Sequence, residues 1–213
     1  MLVGGTALAG YYAGHRRSDD LDLFVRDDGA FRAAVLAVKS LSELGAAVEE
    51  RRGSTRFYSA TCALDGHAFT VQIVLDANLF TVGACRVAAD GAAVADLPTL
   101  LRMKAATLIS RCAEKDLYDL AWLFDREPGL TVERLLELGS SIDGGMTAEG
   151  VLTSMVGTTL TAAACGFSPA HDAGEVFRRV SRLKERLEHG FAQAAENKSP
   201  PPIGELIRKL RPT

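Results

Sequence analysis

The sequence predicts an α+β fold: a mixed β-sheet with flanking helices over residues 1–95, then a helical bundle over residues 96–213. Three observations carry this. Residues 20–25 and 46–76 alternate apolar and polar positions and are rich in β-branched and aromatic types, the period of strands. From Asp96 onwards the apolar spacing changes to three and four, the period of helices. Gly45, Gly53-Ser54 and Asp65-Gly66 divide the first part into short segments.

In chain order, Leu2 and Val3 lead into the paired glycines Gly4 and Gly5 and then Thr6. Ala7 to Tyr12 is a run of small residues and tyrosines that reads as helix. A polar loop follows, carrying His15, Arg16, Arg17 and Ser18, and Asp20 to Val25 reads as a strand. Asp27-Asp28-Gly29 is a turn with helix-start chemistry. Phe31, Val35, Val38 and Leu41 then share one helical face up to Gly45. Strands are expected near 47–51, 55–63 and 68–75, with a short edge strand in 84–95. Asp96 is placed to cap the next helix, with Pro98 tolerated in its first turn. That helix reads on through Leu123. Further helices are expected at 131–139, 147–164 and 173–195. The stiff break Ser199-Pro200-Pro201-Pro202 precedes a final helix at 203–210.

Composition narrows the function classes. Hydrophobic residues are 47% and charged residues 24%, ordinary globular values. The net charge of −3 does not by itself indicate a polyanion partner, but its distribution is uneven. Residues 174–213 hold nine Lys/Arg against five Glu, leaving −7 for the rest. Cys62, Cys85, Cys112 and Cys165 lack Cys-x-x-Cys spacing and read as small apolar residues in a reducing compartment. The apolar stretch 156–167 is too short to span a bilayer, and the arginines follow the N-terminal apolar run where a signal peptide would have them first. A cytoplasmic protein without a membrane partner is expected. The chain begins almost on the glycine turn, which leaves room for a preceding element.

The chemistry concentrates in residues 2–25. On a strand, residues two apart share a face, so Asp20 and Asp22 project side by side. Adjacent carboxylates repel unless a cation sits between them. Hard oxygen donors suit Mg²⁺ (or Mn²⁺), which completes its shell from water and substrate phosphates. Gly4 and Gly5 let a turn approach phosphates closely, and the following helix start favours an anion. Together these features describe a site for a metal-bound nucleoside triphosphate.

This order of glycine turn, short helix and Asp-x-Asp strand resembles the signature of the DNA polymerase beta-like nucleotidyltransferases. More narrowly, GGTALAGYYAGHRRSDDLDLF resembles the opening motif of the AbiEii/AbiGii toxin family, nucleotidyltransferase-fold toxins of toxin–antitoxin and phage-defence loci. A second stretch is similar to the same family's C-terminal signature: Lys104, Arg111 and then Lys115-Asp116-Leu117-Tyr118-Asp119-Leu120. Read as one continuous helix over 97–123, Lys104, Arg111 and Lys115 form a cationic stripe with Asp119 close by and Asp116 further round. On spacing alone that is an ordinary solvated helix face. The family resemblance makes it a candidate leaving-group clamp.

The resemblance implies a nucleotidyltransferase-like sheet, an NTP substrate and these roles. Asp20 and Asp22 hold the metal. Gly4, Gly5 and Thr6 form the triphosphate turn, with His15, Arg16 and Ser18 of the loop placed to touch phosphates. Lys104 binds nucleotide phosphate with Arg111 beside it, and Asp116 or Asp119 completes the site. The family usually carries a third carboxylate on a later strand. Its counterpart here falls at Val74, and Asp76 is the nearest substitute as a metal ligand. The implied biology is a toxin acting in abortive infection on an acceptor hydroxyl, with a tRNA 3′ end as acceptor and an antitoxin protein as partner. Two other readings stand beside it: an antibiotic-modifying nucleotidyltransferase, and a catalytically degenerate nucleotide- or RNA-binding module. Arg178, Arg182 and Arg186 form a basic stripe at four-residue steps, and with Arg208, Lys209 and Arg211 they are a candidate RNA contact.

Overall fold

The computed structural model describes residues 1–198. Strand β1 (Leu2–Val3) runs straight into helix α1 (Gly4–Leu8), which continues as a π-helical turn over Ala9–Ala13 and stops at Gly14 with φ 60°. Strand β2 spans Asp20–Val25, and helix α2 spans Asp28–Ser40, capped by Asp27 through the Ala30 N–H at 2.8 Å. A 3₁₀ turn (Leu41–Leu44) ends on left-handed Gly45. Strands β3 (Ala47–Gly53), β4 (Phe57–Leu64) and β5 (His67–Leu75) then form a meander. Asp65 and Gly66, both at positive φ, make its tight β4–β5 turn.

Short helix α3 (Leu79–Val82) and strands β6 (Cys85–Val87) and β7 (Ala93–Ala95) follow, so the expected single edge strand is a hairpin. Helices α4 (Leu97–Thr107), α5 (Glu114–Arg126), α6 (Val132–Ser140), α7 (Ala148–Val156) and α8 (Ala173–Lys198) complete the described chain. The expected Asp96 cap is present, accepting from the Thr99 N–H at 2.9 Å. The helix expected at 203–210 lies outside the described residues.

The strands form one mixed sheet in the order β3-β4-β5-β2-β1-β7-β6, with parallel pairs β2–β5 and β1–β7. Because side chains alternate, the sheet offers two faces to two cores. Phe31 and Val38 of α2 cover Tyr58, Ala60, Cys62, Val71 and Ile73. The larger core joins Leu2, Val3, Ala7 and Leu8 to Leu100, Leu117, Leu120, Leu135, Val151, Leu187 and Phe191. Sheet and helices are therefore welded through β1 and α1, the elements that carry the glycine turn.

Two expected helices are each broken. The stretch 147–164 is α7 with its Thr147 cap, a non-helical segment, and a 3₁₀ turn at Ala162–Cys165. The stretch 97–123 divides between Thr107 and Glu114. At that break the Thr107 hydroxyl donates to the Lys104 carbonyl and the Ser110 hydroxyl to the Thr107 carbonyl. Such local bonds compete with the helical ladder. The continuous cationic stripe does not form. The break instead folds α5 back on α4, so that Lys104 meets acids twelve and fifteen residues ahead of it.

Candidate active site

Asp20 and Asp22 open the site from β2. In the parallel register Asp20 lies beside Thr70 and Asp22 beside Gln72, and the Thr70 hydroxyl donates to Asp20 Oδ1. The backbone of Asp20 is held from the other side, where the Thr6 hydroxyl donates to its carbonyl. Thr6 thus positions the acid strand with its side chain.

The glycine turn is shaped by what lies above it. Gly4 has φ +68°, and a Cβ there would sit 2.1 Å from Asp22 Oδ2. A Cβ on Gly5 would sit 2.2 Å from an Arg16 guanidinium nitrogen and 2.9 Å from Ser18 Oγ. Both positions exclude any side chain, one by backbone conformation and contact, the other by contact alone. The turn therefore lies directly against the paired carboxylates.

Across the cleft stand Lys104, Arg111 and Asp116. Lys104 Nζ is 2.9 Å from Asp116 Oδ1 and 2.7 Å from Asp119 Oδ2, and Arg111 Nε is 3.1 Å from Asp116 Oδ2. Burial alone would lower the Lys104 ammonium, but Asp119 and Asp116 outweigh it and raise it above the usual lysine value. Lys104 is thus a permanent cation with two of its three donors engaged. Arg111 is largely exposed. A cleft of about 270 Å³ is lined by Gly5, Arg16, Ser18, Asp20, Asp22, Lys104, Arg111 and Asp116, together with Ala113, Glu114, Lys115 and Ala164.

Burial, then the neighbouring Asp20, raises the Asp22 carboxyl above the ordinary aspartate value, opposed by Lys104 and Arg111. Two crowded carboxylates with one destabilised as an anion form a donor set that gains from a hard divalent cation. Asp20 and Asp22 offer oxygen donors from one strand face, and an ion held there would draw its remaining ligands from water and phosphate.

Four expectations are corrected. His15 turns away from the cleft: its Nε2 donates to Asp119 Oδ1 at 2.8 Å and its ring stacks on Tyr118 at 5.3 Å. Arg16 lines the cleft but is committed elsewhere, its Nε and one terminal nitrogen gripping the two Asp119 oxygens at 2.6 and 2.8 Å. Asp119 is fully buried under His15, Arg16 and Lys104 and does not line the cleft. Burial alone would raise its carboxyl, but the Arg16 hydrogen bond, the Lys104 charge and His15 hold it well below the aspartate range. Of the Asp116/Asp119 pair, only Asp116 reaches the cleft. Asp76 is not in the site either, since it follows the end of β5 and its Oδ1 accepts from the Asn78 N–H at 2.9 Å and the Leu79 N–H at 3.3 Å.

The register also moves the position of the third acid. Val74 lies beside Phe24, two residues past the paired acids, whereas Gln72 is the lateral neighbour of Asp22. Thr70 and Gln72 were readable as polar positions alternating in an apolar strand, but only the pairing shows which acids they flank.

The profile of the nucleotidyl transferase AbiEii toxin family, type IV toxin–antitoxin system, matches residues 1–150. No curated protein matches the chain. Among solved structures, the nucleotidyltransferase toxin MenT4 from Mycobacterium tuberculosis H37Rv superposes with a TM-score of 0.55 at 16% identity, over 88% of this chain and 74% of that one. JHP933 from Helicobacter pylori superposes with a TM-score of 0.49 at 13% identity, over 92% of this chain and 87% of that one. At such identities the MenT4 likeness speaks for the fold. The profile spans well over half the chain, and both motifs lie within it. The chain belongs to the AbiEii nucleotidyltransferase toxin family.

Proposed function

We propose that the chain transfers a nucleoside monophosphate from an NTP to an acceptor hydroxyl on RNA, releasing pyrophosphate, with a tRNA 3′ end as the acceptor. The observation that carries this is the juxtaposition of Asp20 and Asp22, on one strand face, with the Gly4-Gly5 turn and with Lys104 and Arg111 across the cleft. Asp20 and Asp22 are the residues to hold Mg²⁺ or Mn²⁺. When bound, the ion supplies triphosphate charge neutralisation and a lowered acceptor-hydroxyl pKa.

The protein's own residues do the rest. The glycine turn admits the triphosphate where a Cβ would collide, and Ser18 offers a hydroxyl beside it. Lys104 keeps its third N–H for an anion, and Arg111, exposed although paired with Asp116, presents its remaining N–H groups to the departing pyrophosphate. Asp116 holds both cations at their posts. In this division residues 1–95 contribute the metal ligands and glycine turn, and residues 96–213 the cations and the surface for the acceptor. An antitoxin protein is the partner expected for a toxin of this family, and the cytoplasm its expected place. Among the described residues no helix is long and apolar enough to cross a membrane.

The test is incubation with each α-labelled NTP, Mg²⁺ and either total bacterial tRNA or an aminoglycoside as acceptor, beside Asp22→Ala. Label on tRNA that disappears in the variant is the expected result. Label on an aminoglycoside and none on tRNA would turn the reading to the antibiotic-modifying alternative. Retained NTP binding without transfer to either would favour a degenerate module, for which the neutral Gln72 beside Asp22 is the specific observation.

A further inference from the structure

On the far side of α5 from the nucleotide cleft, α5 and α8 enclose a second and larger groove of about 510 Å³. At 100° per residue, Tyr118, Ala121 and Asp125 lie roughly 140–200° round the helix from Asp116. The two depressions therefore share α5 as a wall about one helix diameter thick, roughly 10 Å. Four arginines line the groove, Arg178, Arg179, Arg182 and Arg186, against two acids, Asp125 and Glu175. Arg179 is paired with Asp125, and Glu175 with His171. Arg178, Arg182 and Arg186 are exposed and make no ion pair among the described residues.

These three cations are spaced for a polyanion. They recur every four residues, about 6 Å along the helix, a repeat commensurate with successive phosphates of one strand. Their planes are held by the groove itself. The Arg186 guanidinium lies 4.9 Å from the Phe124 ring centroid, and Arg182 Nε donates to the Arg178 carbonyl at 3.2 Å. Unpaired guanidinium groups in a concave wall carry a cost that a bound phosphate relieves by bidentate contact. The two aromatic rings of the groove, Tyr118 and Phe124, already lie under Arg179 and Arg186.

We infer that this groove binds the sugar-phosphate backbone of the acceptor RNA, with Arg178, Arg182 and Arg186 each on a phosphate. The inference rests on the RNA-acceptor reading above. Tyr118 ties the groove to the transfer site, because its ring borders the groove and stacks on His15, whose neighbour Arg16 abuts Gly5. Contacts of this kind position a strand without reading its sequence.

The experiment measures binding of fluorescein-labelled total tRNA, of a 20-nucleotide poly(U) strand and of poly-glutamate by anisotropy over a salt series, on the full chain. The variants are Arg178→Gln/Arg182→Gln/Arg186→Gln and the matching triple lysine variant. Losing three phosphate contacts is expected to reduce the slope of log affinity against log salt by about 2–3, and to weaken tRNA binding about tenfold or more near 0.1 M salt. The lysine variant, which keeps the charge, should retain most of the slope. Calorimetric Mg-NTP binding on the same proteins reports on the cleft separately, so failure there strikes the transferase reading and leaves the groove's result legible. Unchanged RNA affinity and slope in the glutamine variant would overturn the groove. So would a wild-type protein that binds neither RNA. Loss of poly-glutamate binding with RNA binding intact would assign the groove to an acidic protein partner instead.

Discussion

At the scale of single residues, the site trades stability for chemistry at Asp22. Burial and Asp20 raise its carboxyl above its unfolded value of 3.8. Its charged form therefore opposes folding above the raised value, and that penalty fades as pH falls through the raised value and is gone below 3.8, where folded and unfolded states are both largely protonated. Asp22→Asn, measured without divalent cation, is expected to raise Tm at pH 7 by about 2–4 °C, the shift that about 1 kcal/mol gives in a chain of this size. The gain should shrink below pH 4, and transfer should be lost at every pH. A Tm that falls in the variant would refute an unfavourable Asp22 anion. The paired acids and the glycines were visible in sequence because their chemistry is local: a two-residue spacing on a strand and a turn that forbids Cβ. The roles of His15 and Arg16 were not visible. Their partner lies more than a hundred residues away, and nothing in a polar loop says whether a cation faces solvent, phosphate or a buried aspartate.

At the scale of elements, α5 is the shared wall. Through Asp119 it ties the 14–19 loop to α4, using His15, Arg16 and Lys104 on one carboxylate. Asp119 is held below its unfolded pKa, so its contribution is present above about pH 4 and is lost as pH falls from there through the folded value. Asp119→Asn leaves two buried cations undercompensated and should cost about 3–5 kcal/mol in urea unfolding at pH 7. Backbone amides of residues 14–19 should exchange faster in the same variant. A cost below about 1 kcal/mol would mean the loop is held by something else, such as the Arg17 N–H bond to the Phe167 carbonyl at 2.9 Å. Secondary-structure period identified α4 and α5 but ran them together. The break is made by hydroxyls bonding back to the chain, and no glycine or proline marks it.

At the scale of the whole molecule, four of the basic residues read from composition line one groove, on the opposite side of α5 from the cleft. The larger core runs from Leu2 and Leu8 through α4 and α5 to Phe191. A fragment of residues 1–95 keeps the core beneath α2 but strips the helices from β1, α1 and β7. It is expected to show strand signal by circular dichroism without a sharp thermal transition, whereas the full chain melts cooperatively. A sharp transition in the fragment would show that the α2 core alone suffices. Helix α8 packs closely enough that a Cβ on Gly190 would meet Val132 at 2.5 Å, so the arginine face is held in place by tight packing on α6.

Sequence alone determined the α+β class, the family, the glycine turn beside Asp20 and Asp22, and the Asp96 cap, because each depends on residues close in the chain. Tertiary structure decided which acid reaches the cleft, that Gln72 flanks Asp22, that Asp76 is occupied by the Asn78 and Leu79 amides, and that the arginine stripe borders a groove. Those follow from strand register and from one helix folding back on another, and pairings between distant residues leave no periodicity to read.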